Sequence, residues 1–529
     1  MVPCVHHTRC APGDSQYRSV AEHARRVPCR SQRAGGAAYV VQGPAAHQDI
    51  QVSIATNFSY NLFYQITAVA VSFVSIPYAT RLLGPEGMGI AAFTGGIAQY
   101  FITVAMLGIP TYGIRETAYH RDDPVRRSRA FSEIITLQGA IGLLCAIAYA
   151  VYVLLFGGAY RLTLLLQGVA IIAAMIDVSW FHIGMERFRH NALIIGFSRI
   201  LFLVVLVFLL RRYPDVNVYV GSMTGALLLG QGLLWWGVFR HVRFRLPAWR
   251  DAVRHLGGCL SLFLVVMIGN FALSTLKTLL GVLVSMEAVA AFEMAYRMTF
   301  FLLTFSVVIG TVLIPRIAHA MARQEHDLAH AYLRKSFQLV SGITLPVTAG
   351  IWAVAAVFVP WFFGDAFKFM VPVLQILSAT IVINAWSNVI ATQYLVPAGK
   401  EMLYIRSLLV GNVIAVLLAL PMAHAYGAVG VAWARLLGEL LVLGAHVMQT
   451  RRLLPLAVIV ADAWKFAIAA LVMLTAVSIF LRTGGWHGLA GVAGSCGVGM
   501  AVYAAAVALL RPSAIVEVLR RIRSREIPA

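Results

Sequence analysis

Residues 57–123 constrain the whole chain, and they read NFSYNLFYQITAVAVSFVSIPYATRLLGPEGMGIAAFTGGIAQYFITVAMLGIPTYGIRETAYHRDD. Two apolar runs, each long enough to cross a bilayer, flank the short turn Gly84-Pro85-Glu86-Gly87, and a charged segment follows. A hydrocarbon core about 30 Å thick takes about 20 apolar residues in helix. Inside it, backbone polar groups must be satisfied within the segment, so a spanning run of this kind is helical. The stretch therefore reads as a helical hairpin. Asn61, Gln65, Ser72 and Ser75 recur at i, i+4, i+11 and i+14, which puts them on one helical face. A polar stripe at that depth faces protein or water rather than lipid.

The rest of the chain has the same character. Of its 529 residues 60% are hydrophobic and 12% charged, with a mean hydropathy of +0.79, whereas soluble domains carry about 25% charged residues. The fold class is an all-α polytopic membrane protein. About fourteen apolar segments follow one another, centred near Val69, Tyr100, Leu144, Ala170, Leu201, Leu228, Val265, Leu303, Val354, Ile381, Val413, Leu436, Leu471 and Met500. The formal charge of +20 does not point to nucleic acid, because the basic residues sit in short loops between spans, where they signal topology. Alternate loops hold 27 and six Lys and Arg. That asymmetry places the 27-residue side in the cytoplasm, both termini with it, and the Gly84–Gly87 turn outside.

Residues 1–52 are rich in Arg, His, Pro, Gly and Ala and lack the apolar core of a signal peptide. They read as a disordered extension, and the favoured reading starts the protein at Val52, directly before SIATNFSYN. Cys4, Cys10 and Cys29 with His6, His7 and His23 match no strong zinc spacing, so no metal is expected. Cys145, Cys259 and Cys496 fall in apolar runs and read as small hydrophobic residues.

Three basic residues, Lys277, Arg297 and Arg435, lie inside spans with the acids Asp177, Glu293 and Glu439. A charge at that depth costs roughly 2.5 kcal/mol or more and needs a partner or a wet cavity. Lys277 stands out because the chain has five lysines against 37 arginines. An ammonium is a compact anion ligand; the competing reading is an ion pair with Asp177 or Glu293. Glu293 and Arg297 are four apart, as are Arg435 and Glu439, a spacing that allows pairing along the helix. Self-neutralisation is preferred for Arg435–Glu439; both readings stay open for Glu293–Arg297. Asn384, Asn388 and Thr392 stripe the tenth segment at i, i+4 and i+8, for sugar hydroxyls or, preferably, helix packing.

The seventh segment repeats the device of the first. Asn270, Ser274, Lys277 and Gly281 recur at i, i+4, i+7 and i+11, and VLIPRIAHAMARQEHD (312–327) echoes GIPTYGIRETAYHRDD (108–123). Units six spans apart have the same orientation, so the chain reads as a parallel repeat about an axis along the membrane normal. The expected organisation is two six-helix lobes, 53–247 and 248–450, with both stripes lining a polar cavity between them, followed by two further helices and a basic tail over 451–529. No G-x-x-x-x-G-K-[ST] loop or H-E-x-x-H pair occurs, and no long outer loop is available for chemistry, so a transporter rather than an enzyme is expected. Without ATP chemistry, transport would draw on H+ or Na+ at a buried acid such as Asp177 or Glu293, and no cofactor is expected.

The hairpin 57–123, DVSWFHIGMERF (177–188), VLIPRIA (312–318), TQYLVPAGKE (392–401) and YGAVGVAWARLLGELL (426–441) together resemble the Wzx-type polysaccharide flippases of the multidrug/oligosaccharidyl-lipid/polysaccharide exporter superfamily. The resemblance covers roughly residues 53 to 450. It implies translocation of an undecaprenyl-pyrophosphate-linked oligosaccharide across the bacterial cytoplasmic membrane by alternating access. Basic cavity residues would contact the pyrophosphate: Lys277 and Arg297, with Arg115 at the cytoplasmic entrance and Arg81 near the outer mouth. Asn61, Gln65, Asn270, Asn384 and Asn388 would line the cavity, and Asp177, Glu293, Arg435 and Glu439 would couple or pair. The implied partners are the lipid-linked oligosaccharide, the bilayer, and a polysaccharide polymerase and glycosyltransferases. One departure is plain: the family's seventh span reads L-D-K-x-M-[LI]-G, and here Leu276 stands in place of the acid before Lys277. A cation or drug antiporter and a lipid II flippase of the same superfamily are the alternatives.

Overall fold

The structure is a computed structural model that describes residues 44–455 and 460–512, with the side chains of 44–59, 61–64 and 305–312 outside the description. The Cys4, Cys10 and Cys29 segment and the basic residues beyond 512 lie outside the described residues. Met1–Ala55 forms one unit and Thr56–Ala529 a second, to which all contacts below belong.

Fifteen α-helices follow one another among the described residues: α1 Pro44–Met106, α2 Ile109–Tyr119, α3 Pro124–Phe156, α4 Arg161–Met175, α5 Ser179–Gly184, α6 Phe188–Arg212, α7 Val216–Val238, α8 Trp249–Val253, α9 Leu256–Leu283, α10 Met286–Ala322, α11 His326–Phe363, α12 Val371–Ile390, α13 Glu401–Thr450, α14 Ala463–Gly484 and α15 Gly488–Leu510. Eleven helical runs are long and apolar enough to cross a membrane among the described residues. Two are too long for a single crossing. Gln65–Tyr119 and Glu401–Thr450 hold 55 and 50 residues, or about 80 and 75 Å at 1.5 Å per residue, against a core of about 30 Å.

Each long run is broken by a glycine. Gly84 adopts φ 67, ψ −176 inside α1, and Gly427 adopts φ 56, ψ −134 inside α13. A side chain at such angles is strained, and glycine has none. Pro85 then suits the first turn of the resumed helix, where its missing N–H costs nothing. The hairpin expected around Gly84–Gly87 is therefore present.

The second half does not copy the first at its other break. Leu107 and Gly108 take positive φ (41 and 72), ending α1 and starting α2, and a side chain on Gly108 would collide with the backbone of Cys259 and Phe263 in α9. In the echoing position stands Leu313, and α10 runs unbroken past Pro315 to Ala322. The sequence echo thus does not extend to the backbone.

Helices α4 and α6 both pack against α7, and α3 packs on α4; later in the chain α9 and α12 pack on α13, α10 and α11 on α12, and α14 and α15 on α11. One apolar core joins early and late helices, including Ile76, Met88, Leu206, Leu280, Phe292 and Phe363. That continuity brings residues far apart in sequence to the two ends of the bundle. These are named below after Gly84 and Asp123, which mark opposite ends of the first hairpin.

Candidate functional site

The turn Val284-Ser285 folds α9 and α10 back on each other, and the Ser285 hydroxyl caps α10 by accepting from Ala288 N at 3.2 Å. Lys277 and Glu293 lie at similar distances on either side of this turn, about 10 Å along each helix, so they meet. Lys277 Nζ is 3.3 Å from Glu293 Oε2, and Arg297 Nε donates to Glu293 Oε1 at 2.6 Å. Lys277 and Glu293 are 8% and 5% exposed, while the Arg297 side chain is 43% exposed. The triad carries one net positive charge, and its accessible part is the Arg297 guanidinium. The Tyr219 hydroxyl of α7 lies beside that guanidinium. Lys277 is ion-paired here, with Glu293 and not with Asp177.

A second charged group lies close by. Arg435 and Glu439 pair along α13, and Arg435 Nη1 also donates to Asn412 Oδ1 at 2.8 Å. Tyr296, one residue before Arg297, is within electrostatic reach of Glu293, Arg435 and Glu439. The two groups thus form one polar region around α10.

The polar stripes do not face one another, contrary to expectation. Asn270 Nδ2 donates to Thr103 Oγ1 at 3.3 Å and Tyr100 donates to Thr275 at 2.9 Å, so the α9 stripe packs on the second half of α1. The physical reason is close approach: Gly96 leaves room for the Lys277 stem, and Gly281 for the Phe93 ring. In the first half of α1, Gln65 and Ser72 are exposed and Ser75 is buried; the side chain of Asn61 lies outside the described residues. Asn388 Oδ1 accepts from Thr392 within its own helical stretch at 3.0 Å, and Asn384 is half-buried. Asp177 is a turn residue, accepting from Ser179 N at 2.8 Å where α4 gives way to α5. Lys277 is the one stripe residue in the triad among the described side chains, and Asp177 is not part of it.

The remaining basic candidates sit at opposite ends. Arg81 Nη2 donates to the Trp361 carbonyl at the end of α11 at 2.5 Å. Arg115 is exposed on α2, over the ring of Tyr112. Beside it is a cluster that the sequence reading missed. Glu133 on α3, with no exposed side-chain surface, accepts from Arg129 Nε at 2.8 Å, Arg254 Nη2 at 2.5 Å and His255 Nε2 at 2.9 Å. Tyr112 and His255 Nδ1 are 2.7 Å apart, and Arg129 also reaches Asp251 at 3.2 Å. The cluster ties α2 and α3 to α8 and to the junction between α8 and α9. Arg129 and Glu133 stand four apart, a readable signal; their partners more than 100 residues on gave none. Among the described residues no group of His, Cys, Asp and Glu could hold a metal.

Residues 54–321, just over half of the chain, match the family described as polysaccharide biosynthesis protein. The chain belongs to this family. Its fold is similar to that of solved transporters. The lipid II flippase MurJ, in its inward closed conformation, superposes with a TM-score of 0.69 at 14% identity, over 86% of this chain and 98% of that one. A multidrug resistance MATE family transporter of the MOP superfamily, inward-facing, gives 0.59 at 16% identity, over 75% and 94%. The MATE transporter VcmN of Vibrio cholerae, in a mutant form, gives 0.51 at 16% identity, over 77% and 98%. At these identities the likeness establishes the fold, that of a multi-pass membrane protein. No curated protein matches the chain.

Proposed function

We propose that this chain is a flippase that moves an undecaprenyl-pyrophosphate-linked oligosaccharide across the bacterial cytoplasmic membrane for cell-surface polysaccharide biosynthesis. The observation that carries the reading is the Lys277–Glu293–Arg297 triad, two cations sharing one buried acid, in a chain of the polysaccharide biosynthesis family. The proposal includes fourteen spans in two six-helix lobes with two added helices, both termini in the cytoplasm, and the Gly84 end outside.

The triad suggests how an anionic substrate and an ion could be coupled. A pyrophosphate is a stronger acceptor for two cations than one carboxylate is, and charge-assisted bonds to phosphate are among the strong ones. The substrate would take Arg297 first, because its guanidinium is accessible, and then Lys277. Glu293 would be left buried without its cations, a costly state that a proton relieves. Proton uptake at Glu293 would thereby be linked to pyrophosphate binding. Arg435 is already neutralised by Glu439 and holds the helices around Tyr296.

The test is translocation by the full chain in proteoliposomes, read as protection of a polyprenyl-pyrophosphate-linked oligosaccharide from a membrane-impermeant reagent. Protection that depends on Arg297 and on a pH gradient is expected. Transport of a cationic dye with no protection of the lipid-linked sugar overturns the reading in favour of an antiporter. The MurJ likeness, extending over 86% of the chain, favours lipid II as the second substrate to assay.

A further inference from the structure

We propose that Asp177 is a proton-binding site: the folded protein holds it as a neutral carboxylic acid hydrogen-bonded to Gln231, and its proton exchanges from the Asp123 end. The site is separate from the triad and independent of which cargo is carried. Glu133, Asp177, Glu293, Glu439 and Asp462 are the buried carboxylates among the described residues. Four of them have cationic partners: Arg129 and Arg254 for Glu133, Lys277 and Arg297 for Glu293, Arg435 for Glu439 and Lys465 for Asp462. Asp177, 5% exposed, has none. Its carboxyl meets the Ser179 N–H at 2.8 Å, the Ser179 hydroxyl and the Gln231 side chain of α7. The titratable groups on the helices packed around it are engaged elsewhere. Glu133 of α3 and Tyr112 of α2 both hold His255, and Arg115 of α2 lies over the Tyr112 ring. His182 of α5 meets the Leu234 carbonyl at 3.0 Å, with the His190 ring of α6 at 4.8 Å. Helix α7 carries no charged residue, and α4 has only Arg161, at its opposite end.

Two observations separate a neutral acid from an ordinary turn carboxylate. The same turn occurs at Asp123, which accepts from Val125 N at 2.9 Å, and at Asp215, which accepts from Asn217 N at 2.8 Å, and neither of these is buried. Capping a turn thus does not require burial, and a carboxylate buried without a cation is costly enough to take up a proton instead. The second observation is Gln231 itself. Its Oε1 is buried and receives no hydrogen bond among the described residues. A carboxylate can only accept, so it leaves that oxygen unserved; a carboxylic acid donates. One oxygen of Asp177 then keeps its bond from Ser179 while the O–H serves Gln231 Oε1. A single proton thereby removes an uncompensated charge and an orphan acceptor together. The turn is held by α2 and α3. Gln138 of α3 donates to the Ala174 and Asp177 carbonyls at 2.8 and 3.0 Å, and Trp180 packs closely on Gly113 of α2. These are the helices that the Glu133 cluster fastens, so parting them at the Asp123 end opens the path of water to the acid.

Infrared spectroscopy of the purified full chain in an ester-free detergent tests this at neutral pH. Asp177→Asn should remove a protonated-carboxyl C=O band that Asp215→Asn leaves in place. Gln231→Leu keeps the acid and takes away its acceptor, so it should shift the band without removing it. Transfer to D2O should exchange the band faster in Glu133→Gln, by up to about thirtyfold, the effect of taking one charged acceptor from the cluster. Thermal melts give a second readout. Asn mimics the neutral acid, its amide donating to Gln231. An aspartate in the unfolded chain loses its proton near pH 3.9, so above that value unfolding releases the proton held at Asp177, and rising pH favours unfolding. Relative to Asp177→Asn, the unfolding equilibrium of the unsubstituted protein should rise by about tenfold per pH unit between about pH 5 and 7, read as a widening gap in melting midpoint that Asp215→Asn does not show. A band that Asp177→Asn leaves in place, or a gap that stays constant with pH, overturns the proton site. A band unmoved by Gln231→Leu overturns Gln231 as its partner, and unchanged exchange in Glu133→Gln overturns the route from the Asp123 end.

Discussion

Glu293 and Glu133 are the same chemical solution in two different settings. Both are carboxylates removed from water, and both are held by more than one basic side chain. Glu293 takes its cations from α9 and from its own helix α10, neighbours joined by a two-residue turn, and its partner Lys277 is itself buried. Glu133 takes Arg254 and His255 from more than 100 residues away, and its arginine partners keep 53% and 61% of their side chains exposed. If Glu293 is lost, Lys277 has no water to turn to. If Glu133 is lost, the two arginines swing into solvent and the buried His255 keeps its contact with Tyr112. The difference separates a group that must stay assembled or be replaced by a ligand from a group suited to opening and closing the Asp123 end.

Glu293→Ala should therefore be the most damaging change. It strands a buried cation, a loss of about 3–5 kcal/mol, visible as a lower melting midpoint and less protein in the membrane. Lys277→Met/Glu293→Leu should restore most of that stability, because replacing both members of a buried pair by apolar residues is often neutral. Translocation should stay lost in the double variant; normal translocation would reduce the triad to a structural pair.

Glu133→Gln comes next. Removing a charged acceptor costs about 2 kcal/mol, or about thirtyfold in the balance between a state closed and a state open at the Asp123 end. Spin labels at Arg126→Cys and Arg250→Cys, in a background without the other cysteines, should show a longer distance in the variant. An unchanged distance would mean that the cluster fastens helices that never part.

Much of this was readable beforehand, for local reasons. Run lengths give helices, the G-x-x-G at Gly84 gives the reversal, and four-residue spacing gives Glu293–Arg297 and Arg435–Glu439. What failed was tertiary. The Asn270–Gly281 stripe was expected to look across a cavity at the first span, and it packs instead on the second, because Gly96 and Gly281 let the helices close. The Gly108 break has no partner in the second half, because Leu313 replaces the glycine. Asp177, taken for a charge-pair candidate, serves Ser179 N in an Asp-x-Ser turn, a signal present in the sequence but outweighed by its apolar surroundings. The Glu133 cluster depended on which loops meet, which no spacing reveals.

Arg81→Ala should act at the other end and in the opposite sense. Its contact with the Trp361 carbonyl is exposed, and exposed charged contacts are worth about 1 kcal/mol or less. Labels at Glu86→Cys and Asp365→Cys should show a shift of a few-fold toward opening at the Gly84 end, smaller than that produced by Glu133→Gln. A shift of equal size would mean that exposure does not set the strength of the two contacts.

Asp123 supplies the water-facing limit of the same comparison, a carboxylate held without burial. Its Oδ1 accepts from Arg126 N at 3.0 Å and Val125 N at 2.9 Å, capping α3. Those two bonds, with that from Arg126 the larger cause, hold its carboxyl below the ordinary value of 3.8. A carboxyl depressed in the folded state stabilises it above the unfolded-state pKa, and that stabilisation is lost as pH falls through the folded-state value. Asp123→Ala should accordingly lower the melting midpoint slightly at neutral pH, and the gap from the unsubstituted protein should close as the pH is taken to about 3 and below. Melts of the two proteins across that range check the sign. A gap that stays open in acid would place the effect of Asp123 in packing rather than in charge, and would remove it as the solvent-exposed reference for Glu133.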